Sequence, residues 1–248
     1  MKGKRWRVKG GGMRMSFLRW SLVGLVFSPL TLHPTPVRCE EPVLPKEAKE
    51  ALAKASSLQS YKTSFTLEAK EENGKLFTLK GTLLYRRPGQ RRLEIREGEA
   101  KENTQLLVSD GKVEWQYYPQ SAAVYRINNP PEAPGPHRPF LEVQAESVQF
   151  VKRLEGEGDP LLRFEADPQP ASVEGSPVPV KKVRLDIGEK DGMLREMVML
   201  DEKGEPVLTQ RFTDLEVNIS PSDDQFRFTP PQGVSVMEMP AAETGKKS

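Results

Sequence analysis

Cysteine and histidine are almost missing from this chain, which holds one Cys and two His in 248 residues. A single cysteine, Cys39, excludes an internal disulfide. His33 falls near the N-terminus and His137 in a proline-rich run, so histidine-based proton transfer and His-ligated metals have little to work with. Aromatic residues make up only 7% of the chain, and Trp115 is the one tryptophan beyond residue 39. No nucleophile motif, phosphate loop, metal-ligand spacing or internal repeat is evident. The expectation is a protein with no catalytic residues, no metal and no cofactor, and therefore not an enzyme.

Acidic residues are absent from residues 1–39, where Lys2, Lys4, Arg5, Arg7, Lys9, Arg14 and Arg19 form a basic leader. An apolar stretch from about Phe17 to Leu32 follows, broken by Arg19 and punctuated by Pro29. This pattern predicts a secretory signal peptide over 1–39, too short and too interrupted for a membrane span. Met13 or Met15 as start would leave a more ordinary leader, and a retained N-terminal anchor is the alternative. Cys39 sits where a lipobox cysteine would, yet Arg38 before it is too large for one. Cleavage just after Cys39 is the favoured reading, with acylation of Cys39 as the rival.

Removing the leader takes away eight of the 37 Lys and Arg and none of the 35 Asp and Glu, leaving a net charge of −6. The argument for nucleic acid as a partner disappears with those cations. The 209 residues that remain suit one sizeable domain, with boundaries at 40–240 and a disordered tail at 241–248.

Within that domain the apolar positions Ala48, Ala51, Leu52, Ala55 and Leu58 recur at helical spacing behind Pro45. After Tyr61 the period becomes two. Thr63, Phe65, Leu67 and Ala69 alternate with polar residues, Asn73-Gly74 turns the chain, and Phe77, Leu79, Gly81, Leu83 and Tyr85 return on one face. Pro88-Gly89 and Asp110-Gly111 make further turns around Leu93, Ile95, Leu106, Val108, Val113, Trp115 and Tyr117. A strand over about 122–127 and a proline-rich loop over 128–139 follow, then a short helix over 140–147. Strands are expected again at 148–154, 161–166, 180–187, 193–200, 206–217 and 226–228. Such a meander, apolar on one face and charged on the other, has one side in water. With a single Ala-rich helix to cover it, it reads as a curved sheet with room for an apolar guest.

Three separated segments resemble the periplasmic lipoprotein carrier family LolA and its half-barrel lipid-binding superfamily. They are Leu84-Tyr85-Arg86-Arg87-Pro88, Leu106-Leu107-Val108-Ser109-Asp110-Gly111-Lys112 followed by Trp115, Tyr117 and Pro119, and Phe226-Arg227-Phe228-Thr229-Pro230-Pro231-Gln232-Gly233-Val234. The resemblance spans about 46–237. It implies a mainly β fold with α, an incomplete antiparallel barrel closed by a few α-helices. It further implies a soluble, monomeric carrier that shuttles acylated lipoproteins or lipids through the periplasm, from an inner-membrane release complex to an outer-membrane acceptor. Arg87 would tether the helical lid. Arg91 and Leu93 stand where the family tends to have aromatics, which bears on docking and on cargo.

The residues themselves leave alternatives. Phe65, Leu67, Leu79, Leu83, Leu93, Ile95, Val113, Trp115 and Tyr117 are expected to share the cavity face, and would be ordinary core if the helices packed tightly. Asp186 and Asp191 are a weak hint of a carboxylate pair. An anchored lipid-binding receptor, or an envelope-stress regulator of the same fold, is the alternative to the soluble carrier.

Overall fold

The computed structural model describes residues 44–71, 73–130, 140, 142–155, 158–173 and 178–239. The expected leader, Cys39, His137 and the tail at 241–248 lie outside the described residues. What is described forms one open sheet of twelve strands.

A helix, Lys46–Ser57 (α1), precedes the hairpin Ser60–Lys70 (β1) and Leu76–Arg86 (β2), and Gln90–Glu97 (β3), Gln105–Asp110 (β4), Val113–Tyr118 (β5) and Ala123–Asn128 (β6) continue it. The second half comprises Gln149–Leu154 (β7), Leu161–Ala166 (β8), Lys182–Gly188 (β9), Leu194–Leu200 (β10) and Pro206–Val217 (β11), and the chain closes with Ser235–Met239 (β12). The order across the sheet is β12-β6-β5-β4-β3-β2-β1-β11-β10-β9-β8-β7. All neighbours are antiparallel except β12, which adds parallel to β6. Because β7 and β12 do not pair, the barrel stays incomplete, as the fold class anticipated.

Among the described residues the helical content is smaller than a few lids. Besides α1 there is a one-turn helix at Pro170–Val173 (α2) and several 3-10 turns among the described residues. Where a helix is expected over 140–147, the described residues show a 3-10 turn at Ala145–Ser147 and a bridge from Val143 to Pro168. The strand expected at 226–228 is a 3-10 turn, Asp223–Phe226, with a reciprocal Ser222–Gln225 capping box.

Period-two alternation decides the two faces. On β1, Tyr61, Thr63, Phe65, Leu67 and Ala69 are buried and the intervening residues are not. Cross-strand partners project to the same side, so Leu79, Leu93, Leu185 and Met197 extend this inner face along the sheet. The core gathers there, from Phe164 on β8 to Leu107 on β4, with Ala48 and Ala51 of α1 pressed onto it.

The outer face over β8–β11 and β1 carries a ladder of ion pairs instead. Arg211 bridges Glu68 at 3.1 Å and Glu196 at 2.8 Å, and Arg163 holds Asp186 with two bonds of 2.7 and 2.6 Å. Asp191 serves Arg195 and the Met193 amide in the β9–β10 turn. The two carboxylates hinted at above therefore lie on separate structural duties and form no paired site.

The far half of the outer face is covered by the chain's own return. After β11, residues 218–234 cross β2–β5 before β12 joins β6. Arg86 donates to the Pro221 carbonyl at 2.7 Å, pairs with Asp223 and stacks 4.9 Å over the Phe226 ring. Arg86 holds the Asp223 carboxyl below its usual range, chiefly through the hydrogen bond they share.

Candidate functional site: the inner face beneath α1

The helix α1 touches the sheet mainly through small side chains, with Leu52 partly buried against the same core and Leu58 buried at its C-cap. Ala48, Ala51 and Ala55 are at most 1% exposed, yet each buries little more than a methyl group. At roughly 0.8 kcal/mol per buried carbon, the three together contribute about 2–3 kcal/mol, no more than one buried leucine at the upper end. With Leu52 partly buried and Leu58 buried beside them, apolar burial holds α1 by roughly 5 kcal/mol.

The close approach is made possible at Gly192, in the β9–β10 turn. Its φ of +73° belongs to the left-handed region, and a Cβ there would overlap the Ala51 carbonyl and crowd the Ala55 amide. Lys54, in the last turn of α1, donates to the Glu189 carbonyl of the same connection at 2.6 Å.

The second attachment is Arg87, at the corner between β2 and β3. Its Nε donates to the Leu58 carbonyl at 3.0 Å and its Nη2 to the Ser56 carbonyl at 2.7 Å. The Arg87 amide adds a bond to the Gln59 carbonyl at 2.9 Å. Carbonyls at a helix C-terminus lack intrahelical partners and carry the negative end of the dipole, so a guanidinium suits them. Arg87 is itself exposed, which makes these bonds accessible to competing water.

Beneath α1 lie six of the residues expected to share a wall. Phe65, Leu67, Leu79, Leu93 and Ile95 are 0–4% exposed, and Leu83 is half-buried beside them. The Phe65 ring rests over Gly81, where a Cβ would come within 2.5 Å of its Cζ. Below the C-terminal end of α1 the floor is a stacked pair, Tyr61 and Tyr85, with ring centres 5.2 Å apart. Met193, Met197 and Met199 contribute soft, deformable side chains to the same face. Gln210 interrupts the wall at 3% exposure, and its Nε2 has no hydrogen-bond partner among the described residues.

Register separates the other three expected wall residues from these. Leu93 pairs with Leu107, and Leu107 pairs with Gln116, so β5 presents Glu114, Gln116 and Tyr118 inward. Val113, Trp115 and Tyr117 consequently lie on the outer face. Trp115 and Tyr117 pack on Phe228 of the returning segment, with ring centres 5.8 and 5.9 Å apart. Arg126 stacks 5.5 Å over the Trp115 ring. These three residues depart from the expected wall because the outer face has its own cover at this end of the sheet.

What stands inside instead is polar, and sequence reasoning missed it. Arg91 pairs with Glu114, whose side chain is 4% exposed against 17% for Arg91. Gln116 donates to the second oxygen of Glu114 at 2.7 Å, Tyr118 donates to Gln116 at 3.3 Å, and Gln105 donates to Tyr118 at 3.1 Å. Burial pushes the Tyr118 phenol above its usual value, with Tyr125 and Glu114 adding to the shift. Arg91 therefore points into the molecule rather than toward a docking partner. The alternation of Glu114, Gln116 and Tyr118 was the available signal.

Among the described residues no group of three or more His, Cys, Asp or Glu could hold a metal ion. Nor is any helix among them long and apolar enough to cross a membrane.

Comparison with known proteins places this geometry in a family context. The family model described as outer membrane lipoprotein carrier protein LolA matches residues 56–229. An outer-membrane lipoprotein carrier protein of Nitrosomonas europaea is 29% identical over 160 residues, covering 63% of this chain and 71% of the relative. One from Dechloromonas aromatica is 31% identical over 159 residues, covering 63% and 70%. A crystal structure of a conserved protein from Thermus thermophilus superposes with a TM-score of 0.55 at 13% identity, covering 78% of this chain and all of that one. At that identity the likeness concerns the fold alone.

Proposed function

The chain belongs to the outer membrane lipoprotein carrier family LolA, and from that premise we propose that it is a periplasmic carrier which holds the acyl chains of lipoproteins against the inner face of its sheet. The chains enter when α1 swings away from Phe65, Leu67, Leu79, Leu83, Leu93 and Ile95. Arg87 acts as the latch, and no covalent chemistry takes place. The protein works as a monomer between an inner-membrane release complex and an outer-membrane acceptor.

One observation carries this reading. The apolar part of the inner face is covered by a helix that contributes three alanines, a partly buried Leu52 and its C-cap Leu58, and that is held by an exposed arginine at its C-terminal carbonyls. Each methylene of an acyl chain moved from water to this wall gains roughly 0.8 kcal/mol, so a chain of ordinary length outweighs the few kcal/mol holding α1. Opening is then driven by cargo.

A photoactivatable fatty acid carrying a diazirine in mid-chain tests the site. The expected result is cross-linking to inner-face residues of β1, β2 and β3, mapped by peptide mass spectrometry. Labelling confined to the outer face around Trp115, or none, would overturn the proposal.

A further inference from the structure

The inner face is apolar only in part. Two cross-strand rows show the change. One runs Leu83, Leu93, Leu107, Gln116 and Tyr125, the other Tyr85, Arg91, Ser109, Glu114 and Ile127. The first is apolar through β4 and turns polar on β5, and the second is polar from Arg91 on β3 to Glu114 on β5.

A container for acyl chains alone has no use for this. Burying an arginine–glutamate pair costs several kcal/mol of desolvation per ion, and well-packed apolar residues in its place are often neutral or stabilising. The chain of bonds from Gln105 through Tyr118 and Gln116 to Glu114 is directional and holds Glu114 toward Arg91. The pair leaves one group over. Arg91 Nε is buried and has no hydrogen-bond partner among the described residues.

We propose that this network is a binding site for the polar root of the cargo, the ester or amide carbonyls by which acyl chains are attached. The inference rests on the carrier reading given above and specifies what that carrier recognises. Glu114 already neutralises Arg91 at contact distance, so an anionic head would have to compete with a carboxylate for it. A neutral carbonyl oxygen needs only a donor, and the Nε–H supplies one beside the Tyr61–Tyr85 floor, where the apolar wall ends. An amphiphile thus lies with its chains under α1 and its ester groups at β3–β5.

The test uses the chain from residue 40 onward, with two fluorescent probes, methyl cis-parinarate and the hydrocarbon diphenylhexatriene. The paired variant Arg91→Leu/Glu114→Leu avoids leaving one charge buried alone, and a thermal melt reports whether it folds. Expected is about tenfold weaker binding of the ester, the loss of one hydrogen bond from a charged donor, with the hydrocarbon unchanged. Gln116→Met, which loosens Glu114 without removing a charge, gives a smaller loss in the same direction and serves if the paired variant does not fold. Equal losses for both probes, or none for either, overturn the inference and leave the carrier intact. A wild-type chain that takes up neither probe overturns both. Displacement of the ester probe by an S-diacylglyceryl lipopeptide, compared with a short-chain diacyl phosphatidylcholine, tells which source of ester carbonyls the site prefers.

Discussion

Replacing Arg87 with leucine removes the latch while keeping an apolar stem at the corner. Two donated bonds are lost, to the carbonyls of Leu58 and Ser56. A charged donor in a buried setting would contribute about 1.5–3 kcal/mol per bond. Arg87 is exposed and solvent competes, so about 0.5–1 kcal/mol each is the better figure. The closed form then loses about 1–2 kcal/mol, which moves the closed-to-open ratio by about 5- to 30-fold. Apparent affinity scales with the open fraction, so the dissociation constant for a fluorescent acyl probe falls by up to the same factor. Cargo is also retained longer when acceptor membranes are offered. The assay is a probe titration with a transfer assay at matched protein concentration. Unchanged affinity and transfer would refute the latch. Weakened binding would mean that Arg87 touches cargo directly rather than holding α1.

Other expectations follow from the two faces of the sheet. Phe228→Ala should expose Trp115 and shift its emission to the red, while acyl binding stays as in wild type. Quenching of Trp115 by bound acyl chains would instead put that residue in the wall. Gln210→Met removes an unpartnered buried donor and should stabilise the fold by about 1–3 kcal/mol, or about 2–4 °C per kcal/mol for a chain of this size, read by calorimetry. An unchanged melting temperature would mean that the amide is satisfied. The raised Tyr118 phenol sets a pH limit. The neutral form is favoured in the fold, so its contribution is full below the unfolded value near pH 10 and declines as pH rises beyond it. Absorbance at the tyrosinate band should lose a late-titrating component in Tyr118→Phe. If the component lost in Tyr118→Phe is one that titrates near pH 10, the burial argument fails.

The strands and α1 could be read from the chain because their signals are local. Alternation over β1 and β2, the Asn73-Gly74 and Asp110-Gly111 turns, and the alanine stripe each act within a dozen residues. Faces were harder. On β4, Leu106, Leu107 and Val108 are all apolar, so alternation there does not say which side is in. The decision comes from Phe228, more than a hundred residues on, which packs on Trp115 and Tyr117 from outside. β12 escaped for the same reason. Its pairing with β6 depends on where the returning segment lands, and its residues remain exposed. Arg91 stood out as a departure from the family's pattern, but only its register opposite Tyr85 and Ser109 shows that it points inward.

The central claim is that the wall beneath α1 holds acyl chains. Native mass spectrometry of the protein purified from its own host tests it most directly. The expected spectrum shows a population carrying a lipoprotein or other acylated lipid, released when α1 is unfolded. A chain that emerges empty, and that also fails to bind a fluorescent acyl probe after purification, would contradict it.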